Sequence, residues 1–87
     1  MKTFLIRYGN DLIEVSKLKD VSVVRQDNGI TDYFNGIDSS WYLVAFEKDG
    51  RFHLIAYTDN HDILEQYRHR ILSAYANGKS EVCLEKI

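Results

Sequence analysis

The chain has 87 residues, enough for one domain spanning residues 1–87, and its 45% hydrophobic and 28% charged composition favours a folded core. Lys and Arg number 11 and Asp and Glu 13, so the formal net charge is −2. That charge argues against nucleic-acid binding, because such proteins neutralise phosphates with surplus Lys and Arg. The single cysteine, Cys83, excludes an intrachain disulfide and a multi-cysteine zinc site.

The distribution of apolar residues predicts a cytoplasmic protein that does not enter a membrane. The N-terminal apolar run ends at Arg7 after three residues, whereas a secretory signal has ~7–15 apolar residues in a row. No stretch approaches the ~20 apolar residues that span a bilayer. In that compartment we expect Cys83 to be reduced, and its residue type favours a half-buried position.

The first elements predicted are strands. Residues 3–8 alternate in the manner of a strand, Gly9-Asn10 suits a tight turn, and residues 12–15 return as a second strand. A two-residue loop predicts two buried cross-strand pairs, Ile6 with Ile13 and Phe4 with Val15. The β-branched residues of segment 21–26 predict a third strand.

Residues 27–40 have the least regular pattern and are predicted to form a long loop, with a short strand around residues 31–34 as the alternative. The segment carries three acids and no base, namely Asp27, Asp32 and Asp38. Their spacing does not match a calcium-binding EF-hand loop, so we expect no metal here. Asn and Asp with Gly are typical of a solvated loop.

Residues 41–57 give the clearest hairpin pattern, because Asp49-Gly50 is a strong turn sequence. A two-residue loop there predicts the pairs Phe46 with His53, Val44 with Ile55 and Tyr42 with Tyr57. Both faces are then apolar or aromatic, unlike a sheet with one solvated side. We therefore expect a helix to cover one face, and either the rest of a curled sheet or a second subunit to cover the other.

Residues 60–76 are predicted to form the helix of the fold. Thr58, Asp59 and Asn60 are suitable N-caps, and Gly78 is a suitable C-terminal stop. The apolar residues of one helical stripe are Ile63, Leu64, Tyr67, Ile71, Ala74 and Tyr75. Residues 81–87 then form a last strand, with Val82 and Leu84 directed inward. The predicted fold is α+β, a curved and mainly antiparallel sheet of about five to six strands with one C-terminal helix packed on one face.

Three segments of the chain carry a resemblance to known proteins: the run from Asn10 to Val21, the hairpin from Tyr42 to Tyr57 and the tail from Gly78 to Val82. The pattern resembles small bacterial and phage-borne proteins that look like half of a pleckstrin-homology-like domain. The resemblance covers about residues 3–85 and implies a sheet-plus-helix fold, but it carries over no site residue. Residues 27–40 depart from that pattern and stand as an insertion.

Two groups of residues are candidates for chemistry. His61, Glu65 and His69 recur every four residues on one helix face, yet His61 and His69 lie ~12 Å apart along the axis, too far to share one ion. His53 is placed by the predicted register on the aromatic face near Phe46 and Tyr57, where it could act as a general base. The spacing of the sequence places no Ser or Cys nucleophile next to His53. We therefore expect no cofactor, no metal and no catalytic residue, and an enzyme is the less favoured class.

The aromatic residues give the strongest functional indication, because Tyr and Trp are favoured at the centres of protein interfaces. We predict a non-enzymatic protein-binding module, such as an inhibitor, immunity or accessory protein of a phage or mobile element. Its partner is expected to be another protein, bound through six residues: Asp32, Tyr33, Phe34, Asp38, Trp41 and Tyr42. The alternative is a homo-oligomeric ligand-binding or simple catalytic domain, in which a homodimer builds a pocket with His53 and Tyr57 as its polar groups.

Overall fold

The computed structural model describes residues 3–25 and 39–87. Its elements in chain order are β1 (Phe4–Tyr8), β2 (Asp11–Val15), β3 (Leu18–Arg25), β4 (Trp41–Glu47), β5 (Phe52–Thr58), α1 (His61–Ala76) and β6 (Glu81–Leu84). The α+β class and the predicted element order are confirmed. The predicted loop over residues 27–40, with its alternative strand at residues 31–34, lies almost wholly outside the described residues.

The six described strands form two sheets, where the sequence predicted a single curved one. One sheet has the order β2-β1-β6 and the other the order β3-β4-β5. The first is not purely antiparallel, because β6 returns from α1 to pair with β1 in parallel. The prediction of one sheet was wrong because a sequence pattern shows which segments are strands but does not show which edges meet.

The first hairpin has the predicted register. Phe4 pairs with Val15 and Ile6 with Ile13 across the two-residue loop Gly9-Asn10. Gly9 has a φ of +59°, the positive value that a type II′ turn needs at its first central position. Ile6 and Val15 are fully buried.

The second hairpin has a different register from the predicted one. Phe46 pairs with Phe52 and Ala45 with His53, so the predicted pair of Phe46 with His53 was wrong. The loop has three residues, closed by hydrogen bonds from the Glu47 N–H to the Arg51 carbonyl (2.8 Å) and from the Gly50 N–H to the Glu47 carbonyl (3.1 Å). A register shift then lets Ile55 bulge, so Val44 pairs with Leu54 and the predicted Tyr42–Tyr57 pair is restored.

Helix α1 packs on the inner faces of both sheets. The side chain of Asn60 caps its N-terminus by accepting from the Asp62 N–H, and Gly78 follows its end with a φ of +73°. The buried helical residues are Leu64, Tyr67, Ile71 and Ala74, all from the predicted stripe. The ring of Tyr67 meets Tyr8 of β1 at 6.5 Å between centroids, so the helix joins the two sheets in one hydrophobic core.

Candidate functional site

The face of the β3-β4-β5 sheet that points away from α1 is rich in apolar and aromatic side chains. This outer face comprises, on β4 and β5, Tyr42, Val44, Phe46, Phe52, Leu54 and Tyr57. Its exposure rises toward β5, since Tyr42 and Val44 are buried whereas Tyr57 is 49% exposed. The prediction that both faces of the hairpin are apolar is therefore confirmed, and the exposed part of the outer face lies along β5.

Trp41 lies at the start of β4, on the opposite side of the strand from Tyr42. Its indole is half-buried and meets the ring of His61 edge-on, with 4.5 Å between centroids. The guanidinium of Arg25, a residue of β3, lies 5.4 Å from the centroid of the Trp41 ring, within the range of a cation–π contact. The indole is thus held between a β3 cation and the first residue of α1.

The turn between β5 and α1 fixes the start of β4. The Ser40 N–H donates to Asp59 Oδ1 at 2.9 Å, and the Ser39 N–H donates to the Tyr42 hydroxyl at 3.3 Å. The hydrogen bond from the Ser40 backbone, followed by those from the side chains of Ser40 and Ser39, holds the pKa of Asp59 below its ordinary value. The end of the sheet that presents Trp41 is therefore a constrained part of the molecule.

Only two of the six predicted partner-binding residues lie among the described ones. Asp32, Tyr33, Phe34 and Asp38 fall outside residues 3–25 and 39–87. Trp41 and Tyr42 are neighbours in one strand, so their side chains point to opposite faces. Trp41 is half-buried on the helix side and Tyr42 is 1% exposed on the outer face, so the two rings do not share one surface.

A buried carboxylate that the sequence reasoning did not single out ties the β2–β3 turn to two strands, β4 and β5. Glu47, at the end of β4, is 2% exposed and accepts from both the Ser16 N–H (3.0 Å) and the Ser16 hydroxyl (2.7 Å). Its second oxygen lies 2.6 Å from His53 Nε2 on β5. The hydrogen bond with His53, followed by that from the Ser16 hydroxyl, lowers the pKa of Glu47 to about 2 against the opposing effect of burial.

The geometry of these three residues makes them a structural clamp and not a catalytic triad. In a triad the imidazole stands between the nucleophile and the carboxylate, whereas here the carboxylate of Glu47 stands between Ser16 and His53. The clamp fastens the β2–β3 turn to the β4–β5 hairpin. A signal in the sequence was Glu47 itself, an acid that follows Leu43 and Ala45 on the core-facing side of β4.

The three-residue loop moves His53 away from its predicted position. His53 pairs with Ala45 on the core side of the sheet, whereas Tyr57 pairs with Tyr42 on the outer face. The predicted placement of His53 beside Phe46 and Tyr57 was therefore wrong. A pocket that uses both His53 and Tyr57 as polar groups is not compatible with this geometry.

The remaining candidate residues are dispersed. His61 Nε2 lies 3.8 Å from Glu65 Oε1, and in the described ranges no group of three or more His, Cys, Asp or Glu side chains is arranged to hold a metal ion. Cys83 is exposed on β6, so its expected half-buried position was wrong. It faces outward because its neighbours Val82 and Leu84 are the strand residues that pack inward.

A groove of about 290 Å³ lies beside β5. One wall is formed by β5 and the other by the β1–β2 turn region and the residues after β6; the lining residues are Tyr8, Asp11, Leu54, Ile55, Tyr57, Lys86 and Ile87. The tail is held in place because the Ile87 N–H donates to the Tyr8 hydroxyl at 3.0 Å. Tyr57 and Ile87 are each 49% exposed. Both line the groove, so the exposed ring of Tyr57 on the outer face lies beside a second exposed apolar side chain, that of Ile87.

Comparison with family models, with curated proteins and with solved structures found no match for this chain. The resemblance to pleckstrin-homology-like proteins therefore stays a prediction. Within residues 3–25 and 39–87, no helix combines the length and the apolar composition needed to cross a bilayer.

Proposed function

We propose that this chain is a small, non-enzymatic protein-binding module that acts in the cytoplasm as an inhibitor, immunity or accessory protein of a phage or mobile element. The observation that carries the proposal is the aromatic outer face, which becomes exposed toward β5 and ends in the 49% exposed ring of Tyr57. Aromatic side chains exposed beside a rigid strand add contact area to an interface at low entropic cost.

The constrained end of the sheet supports the same proposal. Trp41 is held by Arg25 and His61, and the start of β4 is fixed through Ser40 and Asp59. A half-buried indole that is already ordered loses little freedom when a partner covers it. The acids predicted to act beside it, Asp32 and Asp38, would raise the association rate with a basic partner.

The test begins with capture of the partner from the native cell and its identification by mass spectrometry. Its affinity is then measured by calorimetry for the wild type and for the double variant Asp32→Lys/Asp38→Lys. We expect the charge reversal to weaken binding by about tenfold or more, chiefly by slowing association. The matched control is Glu14→Lys/Asp62→Lys, which makes the same change of net charge at two exposed residues elsewhere.

An affinity that is unchanged in Asp32→Lys/Asp38→Lys for each identified partner would overturn the assignment of this surface. An equal loss in the control variant would also overturn it, because the effect would then follow from net charge alone.

A further inference from the structure

Helix α1 protects two of the four strand edges in the described sheets. The edge of β6 is blocked where Arg70 Nη2 donates to the Cys83 carbonyl and the Tyr67 hydroxyl donates to the Glu85 carbonyl, each at 2.6 Å. The edge of β3 is blocked where Arg68 Nε donates to the Val21 carbonyl at 2.7 Å. A helix side chain bound to an edge carbonyl lies in the path of an incoming strand, so it disfavours pairing with another molecule there.

The edge of β5 differs from these two. β5 is the last strand in the order β3-β4-β5, and among residues 3–25 and 39–87 the side-chain hydrogen bonds from α1 to strand edges reach β6 and β3 but not residues 54–57. The groove runs along this edge, with Leu54, Ile55 and Tyr57 in its wall. Proteins that keep an edge strand unpaired in solution commonly place charges on it, whereas β5 contains no Lys, Arg, Asp or Glu, and its His53 is turned toward Glu47.

Charge also separates β5 from the fourth edge, that of β2. Antiparallel pairing of β2 with a second copy of itself would bring Asp11 and Glu14 near the same acids of the other copy, which is unfavourable. Self-pairing of β5 meets no such repulsion. The rim of the β5 groove holds one acid and one base, Asp11 and Lys86, so two copies related by a two-fold axis can set acid against base.

We propose that a second copy of this chain docks along β5, antiparallel to it, so that the two β3-β4-β5 sheets join across a two-fold axis. Tyr57 and Ile87, each 49% exposed, are buried by the partner copy, and Asp11 of each copy faces Lys86 of the other. The assembly stops at two because the β3 and β6 edges are capped by α1 and the β2 edge is acidic. The bulge at Ile55 shortens the regular run of β5, so the groove side chains supply part of the contact.

The first experiment measures molar mass by size-exclusion chromatography with light scattering over a range of concentrations. The wild type is expected to be a dimer at about 100 μM, and a strict monomer up to about 1 mM would overturn the proposal. The single reversals Asp11→Lys and Lys86→Glu each leave the groove with charges of one sign, so each is expected to shift the chain to monomer. The double variant Asp11→Lys/Lys86→Glu restores one acid and one base and is expected to recover the dimer.

The control is Asp62→Lys, which changes net charge as Asp11→Lys does at an exposed residue of α1 that lies neither in the groove nor on β2. It is expected to remain a dimer. A dimer that persists in both single reversals, or that fails to return in the double variant while circular dichroism shows a folded chain, would overturn the proposed surface.

Hydrogen exchange gives a second measurement that reads the backbone directly. Dilution from dimer to monomer is expected to lower the protection of amides in β5 and to leave those of β1 unchanged. Protection of β5 that does not depend on concentration would overturn the proposal. These outcomes can be told apart from failure of the proposed function. A strict monomer would overturn the dimer but leave Tyr57 available to a different protein, whereas in the dimer a different protein is bound at the Trp41 end of the sheet.

Discussion

The two hairpins of this protein both turn on a glycine, yet their registers are set differently. The first uses two loop residues with Gly9 in the first central position, whereas the second uses three with Gly50 in the last. Gly9 has a φ of +59° and Gly50 a φ of +95°. Among the described residues, none other than a glycine has a positive φ. The comparison shows that the position of a glycine within its loop, and not its presence, decides which side chains face the core.

The difference continues into how each hairpin is stabilised. The first is held by apolar packing through Ile6 and Val15, both fully buried. In the second, the extra loop residue turns His53 to the core side. There the buried carboxylate of Glu47 forms hydrogen bonds with both His53 and Ser16. A one-residue change of register therefore replaces the predicted pair of Phe46 with His53 by the pair of Phe46 with Phe52, and places His53 in a buried polar clamp.

Truncation in the first hairpin should give the largest effect. Ile6→Ala removes a fully buried side chain from the core and is expected to lower the free energy of unfolding by about 3 kcal/mol. Leu12→Ala, on the same hairpin but 48% exposed, is the control and should change it by less than about 0.5 kcal/mol. Urea unfolding measures both, and equal losses would contradict the assignment of the buried face.

Gly9→Ala should have the next largest effect. Its backbone lies in the left-handed region, and an added Cβ would meet the Cβ of Lys86 at 2.9 Å. Strain and steric conflict together are expected to cost about 2 kcal/mol. The measurement is again urea unfolding, and a variant as stable as the wild type would show that Gly9 is not needed for the two-residue turn.

Gly50→Ala should have a smaller effect than Gly9→Ala. Its φ is +95°, but an added Cβ meets nothing within 4 Å, so only backbone strain opposes the substitution. We expect a loss of about 1 kcal/mol. Thermal unfolding of the two alanine variants checks this order. If Gly50→Ala were the less stable variant, the result would contradict the expectation that contact with Lys86 adds to the cost at Gly9.

Much of the fold could be predicted from local patterns in the sequence. The register of the first hairpin, the helix and the inward residues of β6 were all predicted, because each depends on nearby residues, and the observed cap Asn60 was one of three candidates. The parallel pairing of β6 with β1 could not be predicted, since it depends on where α1 directs the chain. The division into two sheets has the same long-range origin.

The register of the second hairpin and the clamp it creates also escaped prediction. Asp49-Gly50 is compatible with a two-residue loop, which would require positive φ at Asp49, and with the observed three-residue loop, which places it at Gly50 alone. The sequence does not distinguish these loops locally. The partners of Glu47 follow from that choice, because Ser16 lies 31 positions away and His53 reaches the carboxylate only in the observed register.

The most direct test of this account is the pH dependence of stability in the wild type and in Glu47→Gln, with Glu14→Gln as the exposed control. The pKa of Glu47 falls from an ordinary 4.5 to about 2 in the folded chain, so its carboxylate stabilises the fold above pH 4.5 and loses this contribution as the pH falls to about 2. We predict that the difference in unfolding free energy between wild type and Glu47→Gln is largest at neutral pH and shrinks steadily over that acid range. A difference that stays constant with pH would contradict the clamp and the register that creates it.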